Sequence, residues 1–518
     1  MKLVPEQQMA LDSFVHENRP TFVTAVPGAG KTTLLVETLT QYTKKNPTHN
    51  ILVLAFNTDA NKELEKRGPK SKNIAYKTTY ALGYAINAGY YWRNFWKKGN
   101  PRYKSGTDKT SYTLHSVVGD FENAYAEKKK YENLWKYSDL CLVYSLEDFL
   151  AVCSRLKLDN DGEKSWKIVQ QLRQESHRSY ENAGNFTMEE MLFLSYEYRM
   201  EEDIFPIRMG NKKNRQEFHH VDAIFIDEVQ DLSPAQFELV CALDCPNIFA
   251  VGDQQQAINH FAASMVDSQA TFLERFPEMN VVEVPVTFRF GPAICDFVNS
   301  LEIHGKKVNG RVKPFSDKSG EILRLSLPEA LRRIQQESVL ILGRNFRGKD
   351  SDLLAVIHRL IAEQISFSIR GFEIADLIQP LVEVMTKENI PLDNTVMAGG
   401  IAIEKQLDSD TFVDIKEYRE SLEFMADIIR GIAPFISSPS QINDYVNKKF
   451  GKGNSNIIVS TIHKAKGSEA ETVILMNFNR FPYLKGGESD VEIQSERNVL
   501  NVAATRSKST LILVNSQE

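Results

Sequence analysis

The stretch Thr21-Phe-Val-Thr-Ala25-Val-Pro-Gly28-Ala-Gly30-Lys31-Thr32-Thr33 decides how this chain is to be read. Its first five residues read as a buried strand, and Leu34 to Tyr42 beyond it as a helix. Strand, glycine loop and helix in that order form a phosphate-binding unit. Gly28 and Gly30 let the backbone turn its N–H groups inward around phosphate oxygens. The helix presents its positive N-terminus to the same anion. Pro27, Gly28, Ala29, Gly30, Lys31, Thr32 and Thr33 are the candidate nucleotide contacts. Lys31 has the length to reach the outer phosphates, and the Thr32 hydroxyl is placed to ligate Mg²⁺. Ala25 stands where the strict form of the pattern has glycine.

Two further apolar runs end in polar groups. Val221-Asp-Ala-Ile-Phe-Ile-Asp227-Glu228 has the composition of a buried parallel strand, with two carboxylates at its carboxyl end. Asp227 is assigned to the metal and Glu228 to the base that activates water. Asn247-Ile-Phe-Ala-Val251 reads as a third strand, running into Gly252-Asp-Gln-Gln-Gln256. Gln256 there can sense the γ-phosphate or its attacking water, although a polar turn would look the same.

The chain has 518 residues, with 62 Lys+Arg against 68 Asp+Glu, so its net charge is 62 − 68 = −6. Slight acidity argues against coating nucleic acid by bulk charge, but allows a local basic groove. A hydrophobic fraction of 42% and a charged fraction of 25% exclude disordered, collagenous and coiled-coil classes. No apolar run approaches a membrane span, and Met1 to Phe14 lacks the apolar core of an export signal. Five sparse cysteines describe no disulfide framework. Cys241 and Cys245 would share a helix face, but no further ligands at suitable spacing accompany them. Buried free thiols in a reducing cytoplasm are the expectation, in a bacterial or phage-infected cell.

Taken in order, these segments resemble a superfamily 1 helicase of the UvrD/Rep/PcrA type. Leu3-Val-Pro-Glu-Gln7 resembles that family's adenine-reading motif, which implies that Gln7 recognises the base of ATP. Ala25 to Thr33 is similar to its phosphate loop, where alanine is common at the first position. Leu54-Ala-Phe56-Asn57 to Glu63 resembles a motif that touches single-stranded DNA. Asp227-Glu-Val-Gln-Asp231 looks like the acidic motif, and Val251 to Phe261 like the motif coupling ATP to DNA. Thr287-Phe-Arg289 and Glu496 to Arg506 resemble the motifs whose arginines reach the γ-phosphate. Val459 to Glu469 resembles the motif contacting DNA and nucleotide, which brings in Thr461, His463, Gly467 and Glu469.

The resemblance implies an α/β fold of two RecA-like P-loop NTPase domains, parallel sheets flanked by helices, with inserted, mainly helical subdomains. It implies ATP and Mg²⁺ as cofactors, with Lys31, Asp227, Glu228, Gln256, Arg289 and Arg506 as the catalytic set. Arg289 and Arg506 lie so far along the chain from Lys31 that they complete its site only if a second domain closes on the first. Phe56, Asn57, Thr78, Phe261, Arg344, Asn345, Thr461 and His463 are the expected single-stranded DNA contacts. Movement in the 3′ to 5′ direction is implied by the family alone. Asn259, Ala262 and Asn501 depart from the family pattern, and Thr78 to Leu82 fits it loosely; these departures fall on the DNA grip.

Motif spacing gives the organisation. Residues 1–85 and 216–285 form the first motor domain, with a helical insertion at 86–215. Residues 286–375 and 453–518 form the second, with a reduced, mostly helical insertion at 376–452. Tyr90 to Lys98 interleaves aromatics with cations, as a strand-stacking patch or as the packing of that insertion with a basic edge. Lys128 to Lys130 reads as a solvated helix face. The small second insertion implies activity as a monomer, or regulation by a replication, repair or nuclease partner. A translocase that strips proteins from DNA, or the motor subunit of a nuclease or anti-phage complex, would carry the same motifs.

Overall fold

The computed structural model describes residues 3–95, 102–103, 113–114, 116–117, 125–183, 185–201, 206–209, 216–258, 264–265, 267–334, 337–346, 353–371, 373–407, 415–450, 455–484 and 490–515. Phe261, with Asn259 and Ala262, lies outside them, as do Trp96 to Lys98; the side chains of Tyr90 to Phe95 are likewise not described. The chain divides into two compact units, residues 1–286 and 287–518.

The first unit is built on six strands: β1 (Thr21–Ala25), β2 (Ile51–Ala55), β3 (Ile74–Thr78), β4 (Ala223–Ile226), β5 (Ile248–Gly252) and β6 (Asn280–Val284). Their spatial order is β6-β1-β5-β4-β2-β3, and every neighbouring pair is parallel. β1, β2, β4 and β5 are buried at every position. That is why they read as continuous apolar runs: helices cover both faces of a parallel sheet. Helices α1 (Pro5–Val15), α2 (Lys31–Lys45) and α3 (Thr58–Arg67) surround it. The helix expected from Leu34 starts at Lys31, because Gly30 in the left-handed region ends the loop there. The strand expected from Val221 is shorter and stops at Ile226, one residue before the carboxylates.

Between β3 and β4 the chain forms α4 (Thr79–Phe95), α5 (Tyr125–Leu140), α6 (Leu146–Leu156), α7 (Glu163–Ala183) and α8 (Met188–Glu201). Ser145 caps α6 by accepting from the Asp148 amide. This insertion has a core of its own, with Tyr131, Trp135, Phe149, Trp166, Val169 and Leu172 buried together. Lys130, expected on a solvated face, is mostly buried and pairs with Asp159 and Asp161 at 3.2 and 2.9 Å. Helix α9 (Pro234–Cys241) follows β4, opened by a capping box of Ser233 and Gln236. It ends at Cys241, so Cys245 does not share its face as the spacing suggested; both are buried free thiols. Helix α10 (Ser268–Arg275) precedes β6.

The second unit repeats the design with β7 (Glu321–Arg324), β8 (Val339–Gly343), β9 (Ser368–Ile369), β10 (Ile457–Thr461), β11 (Ala470–Leu475) and β12 (Ser507–Leu513). The order is β7-β12-β11-β8-β10-β9, again parallel throughout. Helices α11 (Pro292–Ser300), α12 (Leu354–Ala362) and α17 (Asp490–Ala504) belong to it. Helices α13 (Ile374–Lys387), α14 (Thr395–Leu407), α15 (Ile415–Ile432) and α16 (Ile442–Phe450) occupy the second insertion. Among the described residues they have no separate core. Ile378, Met385, Ile429 and Phe450 are buried in one cluster with Ile341 of β8, Leu360 of α12 and Ile512 of β12. Among the described residues no helix is long and apolar enough to cross a membrane.

Candidate functional site

In a parallel sheet all carboxyl ends share one edge, so the segments after β1, β2, β4 and β5 emerge together. After β1, Gly28 and Gly30 adopt φ of 76° and 73°, the left-handed region where a side chain is strained. The Lys31 ammonium sits 3.4 Å from the Ala25 carbonyl oxygen at the strand end. Thr32, on the first turn of α2, donates its hydroxyl to Asp227 Oδ2 at 3.0 Å. Residues 195 apart in sequence thus meet where a hydrated magnesium ion and a phosphate would be held.

Asp227 is buried, and burial pushes its carboxyl well above the usual carboxylate range. The adjacent Glu228 charge adds to that push, while Thr32, Lys31 and the Glu228 amide oppose it. Glu228 lies in the left-handed region at φ 53°, uncommon for a residue with a side chain. This turn re-aims the chain at the strand end. The donor set suits Mg²⁺, which binds hard oxygens through one or two carboxylates and otherwise through water and phosphate. Among the described residues, no group of three or more His, Cys, Asp or Glu could hold a metal by itself.

The structure adds a residue that sequence reading had only counted as part of a run. Gln230 is fully buried, and its carboxamide spans two strand ends. Nε2 donates to Glu228 Oε2 at 2.5 Å, and Oε1 accepts from the Asp253 amide at 3.0 Å. Gly252 is required by this approach, since a Cβ there would come within 2.5 Å of Gln230 Oε1. Asp253 in turn accepts from Gln256 Nε2 at 2.8 Å. Gln256 therefore reaches Glu228 through Asp253 and Gln230.

Gln7 is buried on α1. Its Nε2 donates to the Ala29 carbonyl at 2.9 Å, and its Oε1 accepts from the Val4 amide at 3.1 Å. It ties the helix to the phosphate loop. The expected DNA contacts of this unit lie along the same edge. Phe56 is partly exposed after β2, and Asn57 caps α3 by accepting from Ala60. Thr78 ends β3 and accepts from the Ala81 amide.

The second unit gathers its own cluster. Arg289 Nε donates to Glu469 at 2.9 Å and Nη1 to the Thr505 carbonyl at 2.7 Å. Burial alone would raise the Glu469 carboxyl, but Lys508 and Arg289 outweigh it and hold it below the usual range. Arg506 is almost wholly buried and donates to the carbonyls of Val502 and Ser468. Gly467, at φ 81°, lies in the turn between β10 and β11.

After β8, Arg344 lies 3.1 Å from His463 Nδ1 and donates to Glu496 at 2.9 Å. Glu496 also accepts from the Tyr483 amide. Burial, helped by the Arg344 charge, lowers the His463 pKa to about 4, so the imidazole is neutral. Asn345 lies next to this group, and Thr461 Oγ1 accepts from the Lys464 amide. Asn501 accepts from Asn309. Glu496 and Gln230 escaped the sequence reading because their partners are remote: Arg344 is 152 positions from Glu496, and Asp253 is 23 from Gln230.

Residues 3–277 match the UvrD/REP helicase N-terminal domain, and residues 406–518 the UvrD-like helicase C-terminal domain. F-box DNA helicase 1 of Gallus gallus is 23% identical over 562 residues, taking in 100% of this chain and 49% of that protein. F-box DNA helicase protein 1 of Schizosaccharomyces pombe is 23% identical over 529 residues, 99% of this chain and 57% of its own length. DNA helicase IV of Escherichia coli is 36% identical over 80 residues, 15% of this chain and 12% of that protein. The chain thus spans about half the length of the two F-box relatives. With more than half of its residues in the N-terminal match alone, this chain belongs to the UvrD/REP helicase family.

Proposed function

We propose that this chain is the motor of an ATP-dependent DNA helicase that moves 3′ to 5′ along single-stranded DNA. The observation that carries the reading is the convergence of Lys31, Thr32, Asp227 and Glu228 at one sheet edge. The loop at Gly28–Thr33 would bind the phosphates with backbone N–H groups, and Lys31 would neutralise the outermost. Thr32 and Asp227 would hold Mg²⁺, which supplies charge neutralisation to the phosphate oxygens. Glu228 accepts the proton of the attacking water as its oxygen bonds to the γ-phosphorus and the bond to ADP breaks. Gln230 fixes the Glu228 carboxylate. The family resemblance assigns Arg289 and Arg506 to the charge that develops on the transferred group, and Gln7 to the adenine. It also assigns Phe56, Asn57, Thr78, Arg344, Asn345, Thr461 and His463 to the strand, with Phe261 beyond the described residues.

The test is unwinding of matched duplexes carrying a 3′ or a 5′ single-stranded tail, with hydrolysis followed alongside. Opening of the 3′-tailed duplex alone is the expected result. DNA-stimulated hydrolysis without opening of either would make the chain a translocase instead.

A further inference from the structure

Arg289 and Arg506 are held in different ways. Arg506 is fixed by the main-chain carbonyls of Val502 and Ser468, neutral acceptors that leave its charge intact. Arg289 is fixed by the Thr505 carbonyl and by the Glu469 carboxylate. A carboxylate orients a guanidinium firmly, but it also opposes its charge. Taken as a pair, Arg289 and Glu469 would meet a phosphate as a dipole rather than as a cation.

A third residue changes that balance. The Lys508 ammonium lies 2.9 Å from Glu469 Oε1, while Arg289 Nε donates to Oε2 at 2.9 Å. The two carboxylate oxygens are thus divided between two cations. Glu471, the other acidic neighbour of Lys508, stands off at 3.9 Å, beyond hydrogen-bond range. Arg289, Glu469 and Lys508 together carry one net positive charge, and without Lys508 they would carry none.

The backbone is shaped to put Lys508 there. Glu469 immediately precedes β11, and Lys508 is the second residue of β12, its parallel neighbour. Ala470 pairs with Ser507, but Thr472 pairs with Thr510. Two steps along β11 therefore match three along β12, which makes a bulge at Lys508 and Ser509. A bulge re-aims the side chains around it. The Ser509 hydroxyl fastens this one by donating to the Glu471 carbonyl at 2.9 Å.

We infer that Lys508 is a positioning residue for hydrolysis: it takes up the charge of Glu469, so that Glu469 orients Arg289 without cancelling it. The inference rests on the proposal that Arg289 faces the phosphoryl group in transfer. Its effect falls on the transition state, where charge develops, rather than on ATP binding.

The experiment measures ATP hydrolysis by the full chain with oligothymidylate present. The variants are Lys508→Met, Lys508→Arg, Glu469→Gln and the double variant carrying Lys508→Met with Glu469→Gln. Lys508→Met should lower kcat about fivefold at unchanged KM, the scale of a part-exposed ion pair. Lys508→Arg keeps the charge and should recover most of the loss. In the Glu469→Gln background there is no charge to take up, so Lys508→Met should cost nothing further.

Equal kcat in wild type and Lys508→Met overturns the inference, even if the melting temperature falls, because the pair is then structural. An equal loss in both backgrounds overturns it too, and so does a rise in KM, which would mean that Lys508 touches ATP itself. Arg289→Ala in the same assay separates the two readings. If it turns over ATP as wild type does, the role of Arg289 fails and the inference with it. If it loses turnover while Lys508→Met does not, the inference alone fails. No hydrolysis by wild type would remove both.

Discussion

The two sheets share an architecture and differ in what they place at their carboxyl edges. The first offers left-handed glycines, an ammonium and two carboxylates. The second offers arginines, each already bound to groups of its own unit: Arg289 to Glu469, Arg344 to Glu496, and Arg506 to main-chain carbonyls. Both edges bury a titratable group. Burial raises Asp227 and lowers His463, driving acid and base alike toward the neutral form. The difference teaches that the first sheet is shaped to bind an anion, whereas the second holds cations in fixed orientations. A preoriented guanidinium stabilises developing charge without rearranging at the moment of reaction.

The comparison breaks most sharply on Arg289. If the second sheet contributes to the chemistry, Arg289→Ala lowers ATP turnover by ~10³-fold or more while nucleotide binding persists. Turnover within a fewfold of wild type would confine the chemistry to the first sheet. Next, Glu228→Gln should lower kcat by ~10²–10⁴-fold with ATP affinity retained, because the phosphate loop is untouched. Normal hydrolysis by this variant would mean that another group takes the proton.

A smaller effect sharpens the role of Gln230. Gln230→Ala removes the link between Glu228 and Asp253 without touching the loop, so kcat should fall about tenfold at unchanged KM. The Gln230→Glu variant places a carboxylate against Glu228 and should be worse than alanine. Equal kcat in wild type and Gln230→Ala would reduce the link to packing.

The smallest test concerns His463. Its folded pKa, about 4, lies below the ordinary 6.5, so the unfolded chain takes up a proton that the folded one refuses. The stability tied to its neutral form is complete above pH 6.5 and is lost as pH falls from there toward 4. This loss is on the order of 3 kcal/mol. Melting temperature against pH should therefore fall less steeply across that window in His463→Gln. Identical acid limbs would show that His463 takes up its proton without cost in the folded chain.

How much of this was legible depends on range. The loop at Gly28–Lys31 and the acid end at Asp227–Glu228 could be read because their physics is local: glycine sets φ, and a continuous apolar run marks a strand covered on both faces. Gly30 even fixes the first residue of α2, which sequence alone had put three residues later. The shared helix face expected of Cys241 and Cys245 failed because α9 ends at Cys241, and nothing in a spacing of four residues announces a helix end. The insertions were also beyond local reading. Both are helical by pattern, yet Trp166 and Leu172 close a core within one, while Ile378 and Ile429 join the core of the neighbouring sheet. Amphipathic periodicity says that a face is buried, not what covers it.

The sequence by itself thus determined two nucleotide-fold sheets, the phosphate loop, the paired carboxylates and the family's arginines. Tertiary structure alone decided that Thr32 meets Asp227, that Gln230 joins Glu228 to Asp253, and that Glu496 holds Arg344. The reason is physical: backbone conformation and burial are written in neighbouring residues, whereas partners brought together by strand order are set only when the sheet assembles.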